Sequence, residues 1–178
     1  MIPGGRDHLY VLGKVTVVPA PESSPPFRVD AVAVEDDTYS VLSADPGFHI
    51  PTEHAIRIWT EAHETTPAAP GSVSTRPGDP LKLLAVVHDL SLDPTWREEW
   101  VAGALQEILR YAGRLELSNL ALPILGSVHG KLLPDRFVKI LAYAVEQAAL
   151  DSAIRVWLIT PAGKRRQVEG ALHGCSFE

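Results

Sequence analysis

Apolar runs and amphipathic stretches alternate through the second half of the chain. Three nearly continuous apolar runs have the length of strands that are covered on both faces, at residues 81–88, 119–125 and 153–159. Helical spacing of apolar residues predicts three helices, at residues 96–112, 134–150 and 162–173. Strands and helices that alternate in this way form a mostly parallel sheet with helices on both faces.

The first half of the chain is less regular. Residues 8–18 and 28–34 are typical of short strands, and apolar spacing over residues 52–64 predicts a helix. Residues 19–26 and 65–80 carry four prolines each, which predicts loops. The fold class expected from both halves is an α/β/α sandwich of three layers with a mixed, mostly parallel sheet.

Composition excludes several classes of protein. The chain has 178 residues, of which 46% are hydrophobic and 21% charged, so we expect one domain over residues 1–178 and no intrinsic disorder. Cys175 is the one cysteine, which excludes a disulfide scaffold and a cysteine-ligated zinc site. The net charge of −6 disfavours nucleic acid as a partner. No apolar run approaches the roughly 20 residues of a membrane span, and no signal-peptide pattern is present, so the expected location is cytoplasmic.

Ligands of parallel sheets bind outside the carboxyl ends of the strands, so the residues that follow each apolar run are the first candidates. One such segment is Gly126, Ser127, Val128, His129 and Gly130. Glycines let backbone amides approach an anion closely, which is typical of a loop that holds phosphate. The alternative is an ordinary connection between a strand and a helix.

A second candidate is the acidic triplet Glu35, Asp36 and Asp37 at the end of a predicted strand. Three carboxylates can hold a metal, orient a water or accept hydrogen bonds from ribose hydroxyls; the alternative is a solvated acidic turn. The histidines lack the spacing of metal ligands, so we expect no metal and no cofactor. We expect His88, at the end of an apolar run, to be a hydrogen-bonded wall residue.

Several segments together resemble the macro domain family, which binds ADP-ribose and related nucleotides. Residues 117–130 resemble the family's strand and the glycine loop that holds the diphosphate. The turn at residues 76–81, the Val86-Val87-His88 strand end and Leu133-Pro134 at a helix start also match. The resemblance covers about residues 8–172 and implies the three-layer fold expected above.

In the first half, the resemblance implies further site residues. Gly13-Lys14-Val15-Thr16 is similar to the family's Gly-Asp-Ile-Thr, which places Lys14 and Val15 at the adenine, although Lys14 cannot accept the hydrogen bond that the family's Asp accepts. Residues 29–37 are similar to the family's Val-Asp-Ala-Ile-Val-Asn-Ala-Ala-Asn, with Asp37 at the final, often catalytic Asn. Gly47 and Phe48 stand in the family's other phosphate loop.

The resemblance implies a divergent macro-like domain that binds an ADP-ribose-like or other nucleotide ligand in a cleft between the two loops. The implied ligand-binding residues are Lys14, Val15, Glu35, Asp37, Gly47, Phe48, Gly126, Ser127, Val128, His129 and Gly130. Asp37 or Asp36 would orient water for de-ADP-ribosylation, with an ADP-ribosylated protein as a further partner. The alternative is a non-catalytic interaction module with the same fold that has lost ADP-ribose binding.

Overall fold

A computed structural model describes residues 8–43 and 66–175, which form one sheet and three helices. The strands are β1 (Tyr10–Leu12), β2 (Val15–Ala20), β3 (Ala31–Asp37), β4 (Val73–Arg76), β5 (Leu81–His88), β6 (Asn119–Pro123) and β7 (Ile154–Ile159). The helices are α1 (Glu98–Arg114), α2 (Pro134–Gln147) and α3 (Arg165–Cys175).

The strands lie in the order β1-β2-β7-β6-β3-β5-β4. Strands β2, β7, β6, β3 and β5 are parallel, and β1 and β4 pair antiparallel at the two edges. The carboxyl ends of the five parallel strands therefore meet at one edge of the sheet, where the loops that follow them come together.

The helices α1, α2 and α3 share one apolar core with one face of the sheet. The strands alternate between the two faces, so Ala31 and Ala33 enter that core whereas Val32 packs in a smaller cluster with Trp157 on the opposite face. The expected α/β sandwich with a mixed, mostly parallel sheet is confirmed. The helix predicted at residues 52–64 lies outside the described residues. No helix in the described part of the chain is long and apolar enough to cross a membrane.

Two loop predictions were wrong. Residues 65–80 include β4, which pairs with β5 from Val73 onward. Pro19 lies inside β2 opposite Leu158 of β7, and this position is tolerated because β1 pairs with β2 only as far as Val17. Beyond that ladder a strand loses little by lacking an N–H group.

The observed strand β3 lies about three residues further along the chain than the strand predicted at residues 28–34. It begins at Ala31 and continues through Glu35, Asp36 and Asp37, which pair with β5 and are buried. The alternative of a solvated acidic turn is therefore wrong. The helices begin or end two to three residues from their predicted limits. At α1, for example, Trp96 bridges to His88 and the helix begins only at Glu98.

Candidate functional site

A cleft of about 650 Å³ opens at the carboxyl edge of the sheet. It is lined by residues 21–23, 32–35, 42, 123–124, 127–129 and 159–162, and we call it the Glu35 cleft. Its volume is in the range of small-molecule sites. A cleft is therefore present at the strand carboxyl ends, where ligands of parallel sheets bind.

The Glu35 carboxylate occupies the base of this cleft and is bound by four donors. Its Oε1 accepts hydrogen bonds from the backbone N–H groups of Gly126 at 2.5 Å and Val128 at 3.2 Å. Its Oε2 accepts one from the His129 N–H at 3.1 Å and lies 3.0 Å from His88 Nε2, which we assign as a donor because an ionised carboxylate only accepts hydrogen bonds. Only 4% of Glu35 is exposed. The amides that the sequence suggests for a phosphate therefore bind a side chain of the protein itself.

The loop that supplies these amides holds its shape through its own backbone. Gly126 has a φ of +80°, a left-handed conformation that favours glycine, and its carbonyl accepts the Leu132 N–H at 3.0 Å. Ser127 donates from both its N–H and its Oγ to the Ile124 carbonyl. A Cβ at Gly130 would clash with the Gly126 carbonyl oxygen, so this position also requires glycine. The two glycines shape the loop as the sequence indicates, but its amides serve Glu35.

A β-bulge brings His88 to Glu35. Asp36 pairs with Val86 but Asp37 pairs with His88, so one residue of β5 is extra at this point. The bulge puts His88 on the same face as Glu35. His88 is fully buried, and its Nδ1 lies 3.2 Å from the Thr95 hydroxyl. The expectation that His88 is hydrogen-bonded is confirmed, but the residue lies behind Glu35 and is not among the described residues that line the Glu35 cleft.

Asp36 and Asp37 are committed to the turn that follows β3. Asp37 accepts the N–H groups of Tyr39 at 2.8 Å and Leu42 at 2.7 Å, one on each carboxylate oxygen. Asp36 Oδ1 accepts the N–H groups of Asp37 and Ser43. Both side chains are fully buried, and neither is among the described residues that line the Glu35 cleft. One oxygen, Asp36 Oδ2, is buried without a hydrogen-bond partner.

Lys14 and Val15 lie at the amino ends of the parallel strands, opposite the carboxyl ends where the cleft opens. Val15 begins β2 and pairs with Ile154 at the start of β7, and Lys14 Nζ donates to the Asp151 carbonyl at 2.9 Å. Since the cleft is at the carboxyl ends of these strands, placing the two residues at a ligand was wrong. Gly13 and Lys14 form the turn between β1 and β2, and Val15 and Thr16 begin β2. Gly47 and Phe48 lie outside the described residues.

Sequence reasoning missed part of the cleft wall. Residues 21–23 follow β2 and residues 159–162 end and follow β7, so the strand-end rule could have identified both segments. Leu42 reaches the wall because Asp37 holds the intervening turn. No sequence pattern indicates that contact.

The charges around the Glu35 cleft are negative among the described residues. Its described lining contains no lysine and no arginine, and Glu22 is an exposed carboxylate at its rim. The described residues contain no group of three or more side chains that could hold a metal ion. An anion in the cleft would meet a negative rim and amides already bound to a carboxylate.

Known structures share this architecture. No protein-family model and no curated protein matches the sequence. The Oceanobacillus iheyensis macrodomain with MES bound has a TM-score of 0.65 at 11% identity, over 94% of this chain and 95% of that chain. The same macrodomain with ADP has a TM-score of 0.65 at 12% identity, over 94% and 95%. The macrodomain of Thermus aquaticus DarG has a TM-score of 0.60 at 17% identity, over 83% and 99%. These likenesses show that the chain has the macrodomain fold.

Proposed function

We propose that this chain, which has the macrodomain fold, is a non-catalytic binding module whose ligand places no phosphate in the loop at residues 126–130. One observation carries the proposal: the loop amides already bind the Glu35 carboxylate. A ligand diphosphate would have to displace a buried anion that four donors hold. Such charge-assisted hydrogen bonds are about twice as strong as neutral ones.

We infer the absence of catalysis from the hydrogen bonds that the acidic side chains at the end of β3 already make. A general base must come within about 3 Å of the water it activates, directly or through a second water. Glu35 uses both oxygens on loop amides and His88, and Asp37 uses both on backbone amides of its own turn. Asp36 Oδ1 accepts two backbone N–H groups, and Asp36 Oδ2 has no hydrogen-bond partner but is buried, and Asp36 does not line the Glu35 cleft. Among the described residues, no carboxylate oxygen at the carboxyl end of β3 therefore lies free on the cleft.

Thermal shift with ADP-ribose, ADP, AMP and NAD tests the binding part of the proposal. We expect no rise in melting temperature with any of them at millimolar excess. If one did bind, ligand at about 100 times its dissociation constant would add roughly 2.7 kcal/mol of stability, which the assay detects easily. A dose-dependent rise with ADP-ribose would contradict the proposal. Release of ADP-ribose from a modified protein tests catalysis, and we expect none above a buffer control.

A second candidate function is retained binding of an ADP-ribose-like or other nucleotide ligand. It is favoured by the cleft volume of about 650 Å³ at the carboxyl edge and by the O. iheyensis macrodomain that is described with ADP. In that case the ligand would contact the walls at residues 21–23 and 159–162 and displace Glu35. Adenosine is the matched probe, because a shift with adenosine and none with ADP-ribose would show a cleft that accepts the nucleoside and rejects the diphosphate.

A further inference from the structure

We propose that Glu35 is an internal ligand of an oxyanion site, and that the site accepts an external carboxylate or phosphate once the Glu35 side chain leaves it. This inference rests on the proposed function, in which no ligand phosphate occupies the loop. It adds that the site is intact and that Glu35 keeps it closed.

The site consists of donors alone. One loop contributes the N–H groups of Gly126, Val128 and His129, and His88 Nε2 lies beside the oxygen that the His129 N–H also contacts. All four donors point at the two carboxylate oxygens of Glu35. Convergent backbone N–H groups of this kind form an anion-binding concavity whatever molecule supplies the anion.

The donors do not need Glu35 to hold them in place. The loop is fixed by the Leu132 N–H to Gly126 carbonyl bond and by the two bonds from Ser127 to Ile124. His88 is fixed by burial, by its pairing with Asp37 and by the Thr95 hydroxyl. Removal of the carboxylate therefore leaves a preorganised set of unpaired donors, and unpaired buried donors are costly. An anion that replaces the carboxylate recovers that cost.

The site is also accessible from the cleft. Glu35, Val128 and His129 all line the Glu35 cleft, and Val128 is 59% exposed. A small anion can therefore reach the loop amides from the cleft if Glu35 is truncated. The ligand class is a small oxyanion, because the donors converge on a space that holds one carboxylate group.

Chemical rescue of Glu35→Ala tests the inference. Its melting temperature is measured against sodium acetate and sodium phosphate, with sodium chloride at equal ionic strength as the reference. We expect a saturable rise with acetate, phosphate or both, of about 5–10 °C at about 100 times the dissociation constant. Acetate and phosphate distinguish a site that fits only a carboxylate from one that also takes a tetrahedral anion.

Glu22→Ala is the matched control, because it removes the same charge from the rim of the same cleft and leaves the loop filled. Phosphate stabilises many proteins by exclusion from their surface, so only a response larger than that of Glu22→Ala and of the wild type counts. Equal responses of the three proteins to both anions would overturn the inference. A shift of the wild type with ADP-ribose would instead contradict the proposed function.

If Glu35→Ala does not fold in chloride, the yield of folded protein after refolding in phosphate and in acetate is measured instead of the melting temperature. Recovery of folded protein in either anion supports the inference. If the variant fails to fold in all three salts, Glu35→Gln decides, since it keeps the side-chain volume without the charge. A folded Glu35→Gln that responds to the anions no more than Glu22→Ala overturns the inference, and a larger response supports it.

Discussion

Truncation of Glu35 should be among the most costly single substitutions in this protein when no rescuing anion is present. Two of its four donors, the Gly126 N–H and His88 Nε2, form buried hydrogen bonds with it, and the Val128 and His129 amides are partly buried. A buried donor left without a partner costs about 1–3 kcal/mol. The two buried donors alone therefore predict a loss of about 2–6 kcal/mol for Glu35→Ala, and solvent from the cleft hydrates the other two.

Glu35→Gln should fall between the wild type and Glu35→Ala. The amide oxygen can still accept from Gly126 and Val128, but the amide nitrogen then faces the His129 N–H, which is also a donor. Glu22→Ala is the control for charge, and an exposed change of this kind should stay within about 0.5 kcal/mol of the wild type.

Urea unfolding in chloride buffer measures these differences, with a common slope for all four proteins as the check that unfolding remains two-state. A loss of about 2–6 kcal/mol corresponds to a fall in melting temperature of roughly 4–24 °C for a chain of this size. The reasoning is refuted if Glu35→Ala and Glu22→Ala have the same free energy of unfolding within about 0.5 kcal/mol.

Three further predictions concern the loop, an ion pair and the acidic turn. Gly130→Ala forces its Cβ against the Gly126 carbonyl oxygen, so we expect a loss of about 1–3 kcal/mol in urea unfolding; an unchanged midpoint would contradict the loop geometry. The hydrogen bond from Arg136 lowers the pKa of Glu98 below its ordinary 4.5, so the stability from this pair is present above pH 4.5 and is lost as the pH falls through the lowered pKa. The stability difference between the wild type and Glu98→Gln should therefore shrink on acidification, and a constant difference would argue against the pair. Asp37→Ala leaves two partly buried backbone N–H groups without their acceptor, and because water can hydrate them in part the loss should stay below the about 2–6 kcal/mol expected for two buried donors; a stable variant that loses an ADP-ribosyl hydrolase activity of the wild type would restore the catalytic assignment.

The sheet and helices of the second half could be predicted because their signals are local. Apolar runs identify β5, β6 and β7, and the apolar stripes of α1 and α2 have helical spacing. The edge strand β4 was missed because four residues with one buried side chain carry little periodicity. Pro19 was assigned to a loop because only the pairing of β1 shows that its missing N–H is harmless.

The candidate site depended on contacts that the sequence does not display. The sequence offers Glu35 and the glycine loop as separate candidates, yet their direct contact joins residues 91 positions apart. Taken separately, Glu35 suggests a metal, a water or ribose hydroxyls as its ligand, and the glycine loop suggests a phosphate. The placement of Lys14 at the ligand rested on the similarity of four residues, Gly13-Lys14-Val15-Thr16, to the family's Gly-Asp-Ile-Thr. The direction of β2 contradicts it, because a residue that precedes β2 lies at the amino end of that strand, away from the cleft.

Amide hydrogen exchange at Gly126, Val128 and His129 tests the central claim most directly. If the Glu35 carboxylate binds these amides, their protons exchange slowly in the wild type, and in Glu35→Ala, without added anion, they exchange faster while the β6 and β7 amides keep their protection. Fast exchange at all three amides in the wild type, with β6 and β7 protected, would contradict the claim that Glu35 occupies the loop.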